Sequence, residues 1–109
     1  MQYIDKDRNI SIIAKEITLG EGVTFGRNID IKLHGQFCVG DRSHIGNNAT
    51  MTGNSVTLGR DLYNSSGLKV GGGGSQNPDS NLIIGDRCVV HNSYINTAAP
   101  VTIGDDVGF

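Results

Sequence analysis

The stretch Leu19-Gly20-Glu21-Gly22-Val23-Thr24-Phe25-Gly26-Arg27-Asn28-Ile29-Asp30-Ile31 carries a large apolar residue at every sixth position: Leu19, Phe25 and Ile31. The same step joins Val39, Ile45 and Met51. Working outward, one aliphatic-Gly phrase recurs along the chain. It reads Leu19-Gly20-Glu21, Val39-Gly40-Asp41, Leu58-Gly59-Arg60, Ile84-Gly85-Asp86 and Ile103-Gly104-Asp105. Successive glycines stand 20, 19, 26 and 19 residues apart, so all gaps but one lie just above three units of six. Self-similarity at a fixed period marks a solenoid, in which no repeat buries its apolar face alone and each must stack on its neighbours. The chain reads as an all-β, triangular solenoid of about five coils over residues 11–109, preceded by a lead-in at 1–10.

Stacking the repeats gives three interior columns. The first holds Leu19, Val39, Leu58, Ile84 and Ile103, the second Phe25, Ile45, Asn64, Val90 and Phe109, and the third Ile31, Met51, Val70 and Asn96. Each coil is expected to be three short strands pairing in parallel with the coils above and below, about 4.8 Å away. The segment Ser11 to Ile17 is read as the first strand. The glycine after each aliphatic residue answers either a backbone conformation barred to a Cβ or the close approach of the next coil. Asn64 and Asn96, polar at interior positions, require hydrogen bonds to corner backbone or to water. The one long gap carries its extra residues in Gly71-Gly72-Gly73-Gly74-Ser75-Gln76-Asn77-Pro78-Asp79-Ser80-Asn81, a corner loop leaving the prism. Residues 71–75 have the composition of a flexible linker, but Val70 before the loop and Leu82-Ile83-Ile84-Gly85 after it continue the repeat. Solenoid loops often build the binding face, so a ligand is first sought here.

Composition agrees with a narrow interior and many tight corners. The 109 residues include 16 glycines, no tryptophan and only 6% aromatics, and helical periodicity is hard to find. A net charge of -2 without any Lys/Arg cluster argues against nucleic acid as the partner. No apolar run approaches the roughly 20 residues a membrane span needs, and the N-terminus lacks the regions of a signal peptide. The expectation is a cytoplasmic protein with no membrane partner. Cys38 and Cys88 are too few and too far apart for a metal motif or redox pair, and are read as small, reduced, buried or half-buried residues.

Hexads such as Leu19-Gly20-Glu21-Gly22-Val23-Thr24 and Ile45-Gly46-Asn47-Asn48-Ala49-Thr50 resemble those of the hexapeptide-repeat acyltransferases. The resemblance implies a left-handed parallel β-helix, an exception to the right-handed crossover rule. Asn92 to Val107 looks most like the sugar O-acetyltransferase branch, which includes the maltose and galactoside acetyltransferases. It implies acetyl-CoA or another acyl-CoA as co-substrate, a small-molecule acceptor, no metal, and a homotrimer with clefts between subunits. A His there acts as general base on the acceptor hydroxyl. Two departures stand out. The acceptor-binding Asp of that branch falls near Thr97 and Ala98, where no carboxylate exists, and its catalytic His belongs to a coil beyond Ile103.

Among residues present, His91 is the candidate general base: it replaces the second-column glycine and should face outward near a corner. Asn92 and Thr97 are the candidate acceptor-binding residues. His34 and His44 read as exterior. The three histidines are 10 and 47 residues apart, without the close pair a zinc site needs. Glu21, Asp41, Asp86 and Asp105 form an acidic column interrupted by Arg60, read as capping corner amides rather than holding a metal. The readings are an acyl-CoA-dependent acyltransferase, acting on a sugar hydroxyl or an amine, or its N-terminal part; alternatively a non-catalytic β-helical assembly module or a carbohydrate-binding surface at the loop. The flat sides of a prism favour three-fold packing, and the last coil is unfinished at Phe109, leaving an open sheet edge.

Overall fold

A computed structural model describes residues 1–74 and 76–109; Ser75, within the expected corner loop, lies outside them. The described residues contain strands and turns and no helix. One sheet runs in the order β1 (Gln2–Asp5), β2 (Ile10–Ile13), β5 (Ile29–Leu33), β8 (Thr50–Gly53), β11 (Lys69–Gly71) and β14 (Tyr94–Asn96). The second holds β4 (Thr24–Phe25), β7 (His44–Asn47), β10 (Tyr63–Ser66) and β13 (Val89–Val90). The third holds β3 (Glu16–Leu19), β6 (Gln36–Val39), β9 (Ser55–Leu58), β12 (Asn81–Ile84) and β15 (Val101–Ile103). From β2 onward, consecutive strands pass from sheet to sheet and return every third strand, which makes a parallel β-solenoid of about five turns.

The first column stacks as expected, Leu19 on Val39, Val39 on Leu58, Leu58 on Ile84 and Ile84 on Ile103. So does the second, from Phe25 through Ile45 and Asn64 to Val90. Each strand also sends in the residue two places earlier, so Ile17, Phe37, Val56, Leu82 and Val101 form a further inward row on the third sheet.

The third column needs a correction at its last member. Val70 stacks on Ile95, which is buried, while Asn96 faces solvent and its Oδ1 accepts the Ala98 N–H at 2.9 Å. The reason is the corner before β14. In earlier coils this corner holds one residue in the left-handed region: Asn28 at φ 60, Asn48 at φ 63 and Gly67 at φ 71. The corner after Val90 has no such residue, so the inward step is five rather than six. A second correction concerns Ser11 to Ile17, which is not one strand. The chain turns at Ala14-Lys15, and β2 and β3 belong to different sheets.

The recurrent glycines are required by crowding. None of Gly20, Gly40, Gly59 and Gly85 has a positive φ, yet a Cβ on Gly40 would lie 2.5 Å from the Arg60 nitrogen and 2.7 Å from the Gly59 carbonyl carbon. Left-handed residues at that corner come later in the phrase, at Gly22, Arg42, Asp61, Arg87 and Asp106.

Asn64, fully buried, is satisfied on both sides. Its Oδ1 accepts the Gly46 N–H at 3.0 Å, and its Nδ2 donates to the Val90 carbonyl at 3.0 Å. The two ends of the solenoid differ. At the first, β1 runs antiparallel to β2, Tyr3 packs on Phe25 with ring centroids 5.5 Å apart, and Arg8 donates to the Phe25 carbonyl at 2.8 Å. At the other, Phe109 reaches the second sheet by bonds to Val89 and His91, but its side chain and that of Val107 stay exposed.

Candidate functional site

His91 follows β13 on the outer face of the second sheet. The inward row before it is Phe25, Ile45, Asn64, Val90, so the outward row next to it runs Gly26, Gly46, Ser65, His91. Two bare glycines therefore lead to a hydroxyl and then an imidazole. The Ser65 Oγ lies 3.1 Å from His91 Nδ1, the ring is exposed, and the backbone is fixed by the His91 N–H donating to the Phe109 carbonyl at 2.7 Å. Engagement of Nδ1 by Ser65 leaves Nε2 facing solvent. When Nδ1 donates its proton to the serine oxygen, Nε2 is the basic nitrogen.

The same device occurs once more on this face. Thr24 Oγ1 lies 2.7 Å from His44 Nδ1, and the His44 ring stacks on Tyr63 at 5.6 Å with an interplanar angle of 21°. His34 stands exposed at another corner, between β5 and β6. The histidines thus do not converge, and among the described residues no group of three or more His, Cys, Asp or Glu is placed to hold a metal ion.

Asn92 and Thr97 lie at opposite ends of β14. Asn92 is exposed and its side chain sits against Gly67, where a Cβ would meet its Cγ at 2.7 Å. Thr97 is only 1% exposed, and its hydroxyl is 2.8 Å from that of Ser80. It pins the corner loop to the coil beyond instead of presenting a hydroxyl at the surface.

The three aspartates of the acidic column are committed to backbone. Asp41 Oδ1 accepts the Glu21 N–H at 2.9 Å, Asp86 Oδ1 that of Arg60 at 3.0 Å, and Asp105 Oδ1 that of Asp86 at 2.7 Å. One place further on, Arg42 grips Asp61 and Arg87 grips Asp106, each through two nitrogens. The guanidinium hydrogen bonds hold the Asp61 and Asp106 carboxyls below the ordinary carboxylate range. Both cysteines are free, Cys38 half-buried and Cys88 buried.

The corner loop leaves between β11 and β12 and is tied down. Asn54 Nδ2 donates to the Pro78 carbonyl at 3.3 Å and to Asn81 Oδ1 at 2.9 Å, Ser55 Oγ donates to Asn81 Oδ1 at 2.7 Å, and Asn77 Nδ2 donates to the Ala98 carbonyl at 3.1 Å. Beneath it, on the third-sheet side of the corner, lies a hollow of about 290 Å³ lined by Lys15, Glu16, Gly35, Gln36, Asn54 and Ser55. It offers an ammonium, a carboxylate, amides and a hydroxyl side by side. The sequence marks the loop but not this lining. Its residues flank the corners of three successive coils, and no motif joins positions about twenty apart except the register itself.

Against protein-family models, curated proteins and solved structures the chain finds no match.

Proposed function

We propose that this protein is an acyltransferase of the hexapeptide-repeat kind, moving an acetyl or other acyl group from acyl-CoA to a sugar hydroxyl or an amine. The observation that carries the reading is His91: an exposed imidazole on a rigid outer row, its Nδ1 engaged by Ser65 and its Nε2 open. Nε2 takes the proton of the acceptor as the acceptor oxygen or nitrogen attacks the thioester carbonyl. The tetrahedral intermediate then expels CoA sulfur, which receives that proton from the imidazolium. The hollows beneath the loop and on the first sheet do not include His91, so the cleft for CoA and acceptor is assigned to the junction of subunits in a homotrimer. Asn92, beside His91, borders that cleft; Thr97, buried under Ser80, acts on it only by holding the loop.

The test is equilibrium dialysis against acetyl-CoA, together with light scattering. Retention of the ligand by a species of three times the 11.6 kDa chain mass is expected. His91→Asn should keep that binding and lose transfer by about a hundredfold or more. A folded protein that ignores millimolar acetyl-CoA would end the acyl-transfer reading.

A second reading is favoured by the pinned loop and its amphoteric hollow. In it the solenoid is a non-catalytic module, and Lys15, Glu16, Gln36, Asn54 and Ser55 bind carbohydrate hydroxyls, each of which both donates and accepts. Saturable binding of maltose or galactose at the loop corner, in a protein indifferent to acetyl-CoA, selects it.

A further inference from the structure

The outer face of the first sheet carries a feature that neither reading uses. In the register of β2, β5 and β8, Ile13, Lys32 and Thr52 form one outward row, and the next place in the row is Gly71, which has no side chain. Beside this row lies a hollow of about 470 Å³ lined by Ile13, Lys32, Leu33, His34 and Thr52. Its wall is mostly carbon. Ile13 is 38% exposed and offers carbon to the hollow, and the buried Leu33 lines it as well.

The polar groups at the rim are of one sign or neutral. Lys32 brings an ammonium and His34 an imidazole, and no carboxylate lines the hollow. Among the described residues neither side chain is in an ion pair or hydrogen bond; the ion pairs are Arg8–Asp5, Arg42–Asp61, Arg60–Asp86 and Arg87–Asp106. The nearest acid along β5 is Asp30, which stands in the neighbouring outward row with Ser11 and Thr50; it lines a second hollow, which Lys32 also borders, so Lys32 stands between an acidic side and the apolar one. Its charge repels an anion from that side, so an anionic head is directed toward Lys32 and the His34 corner.

From the apolar wall and the cationic rim we infer that this hollow binds a medium-chain aliphatic carboxylate, tail against Ile13 and Leu33 and head at Lys32. The tail supplies the affinity, because burial of each added methylene strengthens binding about fourfold. The head supplies sign selectivity, since an exposed ion pair adds little but an ammonium in its place is repelled. A membrane surface is the poorer occupant. It requires a broad basic face, whereas this face alternates Asp30 with Lys32 on a chain of net charge -2.

The inference does not depend on acyl transfer, and its test uses the fatty anion alone. Butanoate, hexanoate and octanoate, below their micelle concentrations, are titrated into the ¹⁵N-labelled protein. The amides of Ile13, Lys32, Leu33, His34 and Thr52 should shift saturably, with affinity rising from butanoate to octanoate. Octylammonium should bind about tenfold more weakly than octanoate, and Lys32→Met should weaken octanoate about threefold while Lys32→Arg restores it. Ile13→Ser, checked for an unchanged circular dichroism spectrum, should abolish the chain-length trend. Shifts at other residues, equal binding of octylammonium, or a Lys32→Met protein that binds octanoate unchanged would overturn the inference. So would sedimentation with phosphatidylglycerol vesicles in the absence of any response to octanoate.

Discussion

A methyl group on Gly40 has nowhere to go, because the main chain of the next coil occupies its place; on Gly104, nothing lies within 4 Å. The two glycines stand at the same point of the same phrase, and only the presence of a coil above separates them. Gly40→Ala should therefore destabilise the protein by about 3 kcal/mol or more, through displacement of Arg60 and Gly59 backbone that cannot yield as a side chain can. Gly104→Ala should stay within about 0.5 kcal/mol of the parent. Urea denaturation of the pair checks this, and equal losses would show that the glycine answers some other demand. Asn64 makes a comparable case from the interior. Replacement by leucine strips a partner from the Gly46 N–H and from the Val90 carbonyl, both buried by the stack. At about 1–3 kcal/mol for each orphaned group, Asn64→Leu should cost several kcal/mol despite its greater hydrophobicity. A leucine variant as stable as the parent would refute that account.

At the scale of the strand and its corner, three stacked ladders share the work of holding coils in register. Asn9, Asn28 and Asn48 join side chain to side chain along one corner, at 3.2 and 3.3 Å. The Asp carboxylates cap amides along another, and the Arg–Asp pairs run beside them. Because Arg42 and Arg87 depress the Asp61 and Asp106 pKa in the folded state, their contribution is complete above the ordinary carboxylate pKa. It is lost as pH falls through the lower, folded value. Carboxyl NMR titration should place both below the ordinary range, and Arg87→Gln should return Asp106 to it while leaving Asp61 low. If Asp106 does not move in that variant, the guanidinium is not the cause. These elements also show what the chain declares of itself. The inward columns were legible because burial on a pleated strand forces aliphatic residues into step with the coil. Asn96 was misplaced because a corner can lose its left-handed residue without changing the composition around it. The turn at Ala14-Lys15 leaves no mark in the sequence, because apolar residues stand on both sides of it at Ile12, Ile13 and Ile17 and no glycine or proline signals the bend. The candidate site was less legible. His91 stands out as a substitution in a glycine row, but the pairing with Ser65, the burial of Thr97 and the surface hollows arise from residues about twenty apart, which only the fold brings side by side.

For the molecule as a whole, the two ends face different problems. β1, Tyr3 and Arg8 close the first end, and the antiparallel β1 stands one strand proud of the first sheet only. A second molecule stacked end-on would meet that strand before its third sheet could reach β3, so β1 is expected to hinder end-to-end stacking on that side. Deleting residues 1–5 should uncover the β2 edge and the ring of Phe25 and produce mass growth with concentration in light scattering. A deletion variant that keeps the parent mass at every concentration would show that the hairpin is dispensable. The capping aspartates have one more consequence, which concerns time. Each carboxylate belongs to a later coil and accepts an amide from an earlier one: Glu21 waits for Asp41, and Arg60 for Asp86. On a ribosome adding about 5–20 residues per second, a finished coil keeps its corner amide in water for about one to five seconds until the next coil arrives. The prism is thus assembled on a schedule, every turn provisional until its successor has been made.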